Sequence, residues 1–220
     1  PCLCEKPLVA AADAAAGLQR IAAFRRRGLL LAENCQWPLV LPALFELHPE
    51  LRRTPVRSVA MGLGPAAAGR AMVEDSLSHL LSVVQALVPL HPGALPAAVR
   101  QGDGGALATR NDVHFTLSGP DGPIAVELQL QQCPQQPRPA WLAVNGRRID
   151  RRLGPDYSHA FVAADGRAVH VRDPLHQLVD GVIAAVRAGS GAANVARADG
   201  IALRLRLYAA ILEALAAAGR

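Results

Sequence analysis

The 220-residue chain is short of several things, and each shortage excludes something. Aromatic residues make up 4% of it, charged residues 19%, and cysteines number four. Cys2, Cys4, Cys35 and Cys133 are too few for a disulfide framework in a chain this long. They read as reduced thiols, which suits the cytoplasm. Cys2 and Cys4 would share one face of a strand, but no second Cys or His pair follows at zinc-binding spacing, so no metal is expected. No signal peptide is read, and no apolar run is long enough to cross a membrane, so no membrane partner is expected. The net charge of +5 invites a nucleic-acid reading. Its basic clusters are short, however: Arg25–Arg27, Arg52–Arg53, Arg147–Arg148 and Arg151–Arg152. None is interleaved with the aromatic side chains that a single-strand-binding surface needs, so nucleic acid is not an expected partner. They read as solvated faces, with a basic rim that draws anionic ligands as the alternative. There is no internal repeat.

What is present is a globular pattern, 51% hydrophobic. Residues 2–4 read as the end of a strand, followed by a Glu5-Lys6-Pro7 turn. A helix of about a dozen residues begins at Asp13 and runs to Arg25–Arg27, where basic side chains complement the helix dipole and Gly28 stops it. The continuous apolar run "LLLAEN" reads as a buried strand, completing the tail of a βαβ unit. A further helical stretch follows Trp37-Pro38 to about Arg53. The texture then changes. "TPVRSVAMGLG" reads as a strand and residues 71–88 as a strong helix. "NDVHFTLSGPDGPIAVELQLQQ" is an alternating hairpin around Gly-Pro-Asp-Gly. "AWLAVNGRRID" and "HAFVAADGRAVHV" supply more strands, and helices at about 174–188 and 199–218 close the chain around "GSGAAN". In the hairpin, Ile124, Val126, Leu128 and Leu130 oppose Ala125, Glu127, Gln129 and Gln131. That alternation predicts an α+β fold: a large, mostly antiparallel open sheet with helices on one face. The division expected is a βα(β) piece over residues 1–50 and an α+β domain over 51–220.

The helix over 71–88 carries the candidate chemistry. Val73, Leu77, Leu80, Leu81, Val84, Leu87 and Val88 form an apolar stripe. Asp75, His79 and Ser82 lie on the other side at i, i+4 and i+7. No lysine or arginine occurs from Ala71 to Val99, so this side reads as covered by protein or ligand rather than solvent. A carboxylate one turn before an imidazole can orient the ring and raise its pKa, readying it to exchange a proton with a substrate hydroxyl.

"CEKPLV" after a strand, together with "EDSLSHLL" on a helix of a downstream α+β domain, resembles the Gfo/Idh/MocA oxidoreductases (glucose–fructose oxidoreductase, inositol dehydrogenase and relatives). The resemblance covers nearly all of this chain, but only the C-terminal portion of such an enzyme. It implies the last piece of a Rossmann domain over residues 1–50. It implies NAD or NADP as cofactor, bound with the help of a region this sequence does not contain. Hydride transfer to or from a sugar, cyclitol or related polyol is the implied reaction. Lys6, Asp75 and His79 would be catalytic, with Glu5, Lys6 and Pro7 beside the cofactor. Asn34, Trp37, Ser82 and His159 would line the substrate cleft. Family members associate through the open sheet face, which implies a homo-oligomer.

The sequence also departs from the family. Where the family helix carries a glycine and a final aspartate, this chain has Leu77 and Ser82. Gln36 and Trp37 stand where many members have an arginine. No Gly-x-Gly-x-x-Gly turn is present; "GLGPAAAG" at 62–69 has the wrong spacing and reads as a loop. Two rival readings stay open. One is a non-catalytic oligomerisation or binding domain derived from the same family. The other, a metal hydrolase using "HVRDPLH", is the weaker, because His170, Asp173 and His176 would not obviously converge and Asp173-Pro174 reads as a helix start.

Overall fold

The computed structural model describes residues 1–102, 108–189 and 191–218. Its smaller sheet pairs β1 (Cys2–Cys4) with β2 (Leu31–Glu33) in parallel, Cys4 opposite Glu33. A 3-10 turn over Ala11–Asp13 and helix α1 (Ala14–Arg26) connect the two strands. Arg25 and Arg26 fill the last turn of α1, and Gly28 ends it in the left-handed conformation at φ 61°. Asp13 precedes the helix without a side-chain cap. A 3-10 turn (Trp37–Val40), helix α2 (Leu41–Leu47) and another 3-10 turn (Pro49–Arg52) then lead to the larger sheet.

That sheet is built, in chain order, from β3 (Ser58–Leu63), β4 (Ala97–Gln101), β5 (Arg110–Gly119), β6 (Gly122–Gln131), β7 (Ala140–Val144), β8 (Arg147–Leu153), β9 (His159–Ala163) and β10 (Ala168–Val171). Its spatial order is β10-β9-β8-β7-β3-β6-β5-β4. Every neighbouring pair is antiparallel except β3 and β6, which run parallel with Val59 opposite Val126. The architecture is the expected α+β one. The alternation in sequence becomes two faces. Val59, Met61, Phe115, Val126, Leu128, Leu142, Ile149 and Phe161 point to the helices and are buried. Ala60, Ala125, Glu127 and Ala143 lie on the open side. Gly62 belongs there too: a Cβ on it would meet the Trp141 indole at 1.9 Å, so only glycine lets that ring lie flat across the strand.

Helix α3 (Gly69–Leu87) packs on β3, β5 and β6. The long α5 (Gly191–Ala218) lies against it and also against α1. Sandwiched between the sheet and α5, α3 buries Ser76, Ser78 and Ser82 as well as its leucines and valines. That is why lysine and arginine are missing from most of this stretch, which reaches solvent chiefly near its start, at Glu74 and Asp75. Gly17 marks the closest approach of α1 to α5, since a Cβ there would come within 2.7 Å of Leu205 and of Val9. The buried core therefore continues across residue 50, from Ile21 and Leu31 to Leu205 and Leu207.

Two elements differ from the sequence reading. β4, unheralded by alternation, pairs antiparallel with β5 through a register shift. α4 (Pro174–Ala188) spans the range expected of it, but α5 starts at Gly191 rather than near 199. Asn194 donates from Nδ2 to the Gly28 carbonyl at 3.0 Å, and Ala198 is fully buried, so tertiary contacts hold the early turns helical despite Gly200. Ser190 of the expected "GSGAAN" separator lies outside the described residues.

Candidate active site

Lys6 is the only lysine in the chain; every other basic side chain is an arginine. It sits in the turn just past the carboxyl end of β1, preceding Pro7 across a cis peptide. Its Nζ donates to Asp75 Oδ1 and to the Asp75 backbone carbonyl, both at 2.7 Å. Asp75 is in α3, 69 residues away. An ammonium has three N–H donors, so one stays free for a ligand. A compact ammonium suits this corner better than a planar guanidinium, which spreads its donors over a fork.

One turn along α3 from Asp75 comes His79. Its environment differs from the expectation. The Asp75 carboxylate is paired with Lys6, and the imidazole is pushed down to about 3 rather than raised. Burial is the main cause, the positive charge of Lys6 adds to it, and Asp75 opposes it only in part. His79 is therefore neutral at physiological pH, and its Nδ1 is buried without a hydrogen-bond partner. A neutral imidazole has one ring nitrogen free to accept a proton.

The segment past β2 forms the adjoining wall. Asn34 donates from Nδ2 to Glu5 Oε1 at 2.9 Å, tying the two strand ends together. Asn34 Oδ1 and Gln36 Oε1 are buried and unbonded. Trp37 is buried edge-on against Phe161, with centroids 6.3 Å apart. Ser82, expected to line the cleft, turns back on its own helix: its hydroxyl donates to the His79 carbonyl at 2.7 Å, and the residue is buried. It borders a separate cavity of about 290 Å³ with Glu33, Cys35 and Arg204.

His159 opens β9 on the inner face, 3.7 Å from Asp173 Oδ1 through Nε2. Its own Nδ1 is buried and unbonded, and burial lowers its pKa. Asp173 caps α4, accepting from the Leu175 amide at 2.8 Å, and lies 3.8 Å from His176 Nδ1. Among the described residues no group of three or more His, Cys, Asp or Glu is arranged to hold a metal ion. All four cysteines are free. Burial pushes Cys4 up to about 12 and Cys35 up to about 11, so neither is a thiolate at neutral pH.

Arg151, grouped in sequence with the solvated clusters, is half-buried. It lies on the inner face of β8 and lines a narrow slot with Gln36, Trp37, His159 and Phe161. Its signal in the sequence is the alternation of "RRIDRRL": Ile149 is buried, and Arg151 is two residues on, facing the same way.

Lys6, Asp75, His79, Asn34 and Glu5 are thus gathered at the carboxyl ends of two parallel strands. This is the edge where open α/β sheets bind ligands. The fold is that of Gfo/Idh/MocA-family oxidoreductases. The chain superposes on UDP-N-acetylglucosamine 3-dehydrogenase GnnA from Acidithiobacillus ferrooxidans with a TM-score of 0.56, at 20% identity over 96% of this chain and 71% of that one. For KijD10, a 3-ketoreductase from Actinomadura kijaniata in complex with NADP, the TM-score is 0.59, at 16% identity over 98% and 68%. A Gfo/Idh/MocA family oxidoreductase from Vibrio cholerae gives 0.63, at 14% identity over 100% and 71%. No protein-family model and no curated protein matches the chain. No helix among the described residues is long and apolar enough to cross a membrane.

Proposed function

We propose that the chain is the substrate-handling part of an NAD(P)-dependent oxidoreductase acting on a sugar, cyclitol or related polyol. The carrying observation is the junction of Lys6 with Asp75 at 2.7 Å, one turn from a neutral imidazole with an unbonded Nδ1. Proteins of this fold include a sugar-nucleotide dehydrogenase and an NADP-bound ketoreductase, which supports the class of chemistry.

The residues present fit the reacting end of a nicotinamide cofactor. Glu5, Lys6 and Pro7 would lie beside it, and the buried, unbonded Asn34 Oδ1 and Gln36 Oε1 are acceptors suited to a polar group at this edge. The chain has no glycine-rich turn for the pyrophosphate. A nicotinamide held there supplies two-electron redox chemistry. Lys6 holds and polarises the reacting oxygen of the substrate through its free N–H. His79 takes the hydroxyl proton at a ring nitrogen during oxidation and returns it during reduction. Asp75 fixes the ammonium in place.

The test is turnover of Lys6→Ala and His79→Ala, made in the protein expressed from its complete coding sequence and assayed with both cofactors against a panel of sugars. Each change should cost about a hundredfold in turnover while leaving the fold intact. Near-normal turnover in both variants would overturn the reading.

The open sheet face supports a second role as an interface between copies. Its centre is made of Ala60, Ala125 and Ala143 around a shallow depression of about 480 Å³. Its small central residues let another surface approach the strands, while Arg100, His114 and Glu127 around them supply polar contacts. Sedimentation equilibrium of Ala125→Arg should then give monomer where the unmodified protein gives a dimer or larger.

A further inference from the structure

Arg151 occupies a place where this sheet otherwise carries apolar side chains. On β8 it shares the inner face with Ile149, and its partner across the strand pair is Phe161. A guanidinium in such a position must be met by something or remain desolvated at a cost. The protein meets it only in part. One Nη2 donates to the Arg138 carbonyl at 2.7 Å, and the guanidinium carbon lies 5.9 Å from the centroid of the Trp37 ring. Its Nε is buried without a partner, and no carboxylate among the described residues pairs with it.

The surroundings are also short of negative charge to spare. Asp75 is taken by Lys6, and Glu33 by Arg204. Asp173 serves the start of α4 and the rings of His159 and His176. His79 and His159 are both held neutral, and the charge of Arg151 contributes to that in each case. Both leave Nδ1 buried and unbonded, as Gln36 does Oε1. The slot therefore holds a guanidinium with no carboxylate partner among the described residues, beside the unbonded Gln36 Oε1 and His159 Nδ1, and near enough to His79 to act on it electrostatically.

We infer that Arg151 is the anion-recognising residue of the substrate cleft, binding a carboxylate or phosphate carried by the sugar, with His159 and Gln36 beside it. A guanidinium fork matches both oxyanions with two parallel hydrogen bonds. The inference rests on the oxidoreductase reading of Lys6, Asp75 and His79, and narrows its substrate to an acidic sugar.

The chain has two tryptophans, and the second, Trp141, lies on the open face with Arg148 over its ring at 4.3 Å. In a Trp141→Phe background Trp37, beneath Arg151, is the only tryptophan emitter. Its fluorescence would be titrated with D-glucuronate, D-glucose 6-phosphate and D-glucose. One acidic sugar should bind roughly tenfold or more tighter than glucose, and the tighter of the two identifies the anion. Arg151→Gln should bring it down to the glucose level. Lys6→Ala should weaken all three sugars alike and keep their ranking. Glucose matching both acidic sugars, no saturable response to any of them, or a ranking that survives Arg151→Gln would overturn the assignment. Should Arg151→Gln fail to fold by circular dichroism, the ranking in the Trp141→Phe protein decides by itself. Unchanged binding in Lys6→Ala, with the acidic preference intact, would count against the role of Lys6 and leave that of Arg151 standing.

Discussion

Two of the ion pairs that fasten the first fifty residues to the rest of the molecule are built in opposite ways. Glu33 and Arg204 meet at 2.8 Å with side chains only 4% and 13% exposed, and Arg204 also donates to Gln85 Oε1 at 2.6 Å. Their hydrogen bonding is completed inside the protein. Lys6 and Asp75 meet at 2.7 Å, but Asp75 is 54% exposed and unsatisfied polar atoms surround the pair. The first arrangement is what a buried charge needs to exist at all. The second keeps a donor, an acceptor and a neutral base in reserve. The contrast separates a pair closed within the protein from one left open at the surface, where the proposed function puts the ligand.

That contrast can be broken by substitution. Arg204→Met leaves Glu33 buried without a partner and should cost about 3 kcal/mol or more in urea denaturation. A loss below about 1 kcal/mol would make the two pairs alike. Lys6→Arg keeps the charge beside Asp75 but replaces a point donor by a fork. It should lower turnover of the complete enzyme about a hundredfold while moving the urea midpoint little. A large stability loss with turnover preserved would reverse the assignment of the two pairs.

The third test is pH. His79 has its folded pKa pushed below the ordinary histidine value, so the unfolded chain binds the proton more readily. Its contribution to stability is complete above about pH 6.5 and is lost as pH falls toward about 3. Between pH 7 and pH 5 the unmodified protein should lose about 1–2 kcal/mol more than His79→Gln. His159 acts in the same direction, so the difference between the two proteins is the readout. Equal losses would mean His79 is solvated. The smallest effect belongs to a third link between the same regions. Arg25 and Asp199 meet at 2.7 Å on the surface, each about half exposed. Arg25→Ala should change the unfolding free energy from urea denaturation by no more than about 0.5 kcal/mol.

Much of the site was legible in the sequence. The Glu5-Lys6-Pro7 turn past a strand and the i, i+4 spacing of Asp75 and His79 are local patterns, and each falls on the element they imply. Arg151 was legible in principle, through its alternation with Ile149, but Arg147, Arg148 and Arg152 masked it as surface charge. Helical spacing puts Ser82 on the expected side of α3, but it cannot show that its hydroxyl turns back to the His79 carbonyl. The direction of the His79 shift was hidden for a similar reason. The spacing shows Asp75 one turn away, but not that a lysine from another element neutralises it or that burial outweighs it. β4 had no alternation to announce it, and the early start of α5 depends on the Gly28 carbonyl that Asn194 reaches across 166 positions.

Periodicities of two and 3.6 residues are written in neighbouring positions. The chain's own order of residues therefore settles its strands and helices, the inner face of its sheet and the residue types that carry chemistry. Contacts between distant positions form only when elements dock, so the folded molecule alone settles the rest. Docking brings the single lysine to Asp75, holds His79 neutral and leaves Arg151 with no carboxylate partner among the described residues.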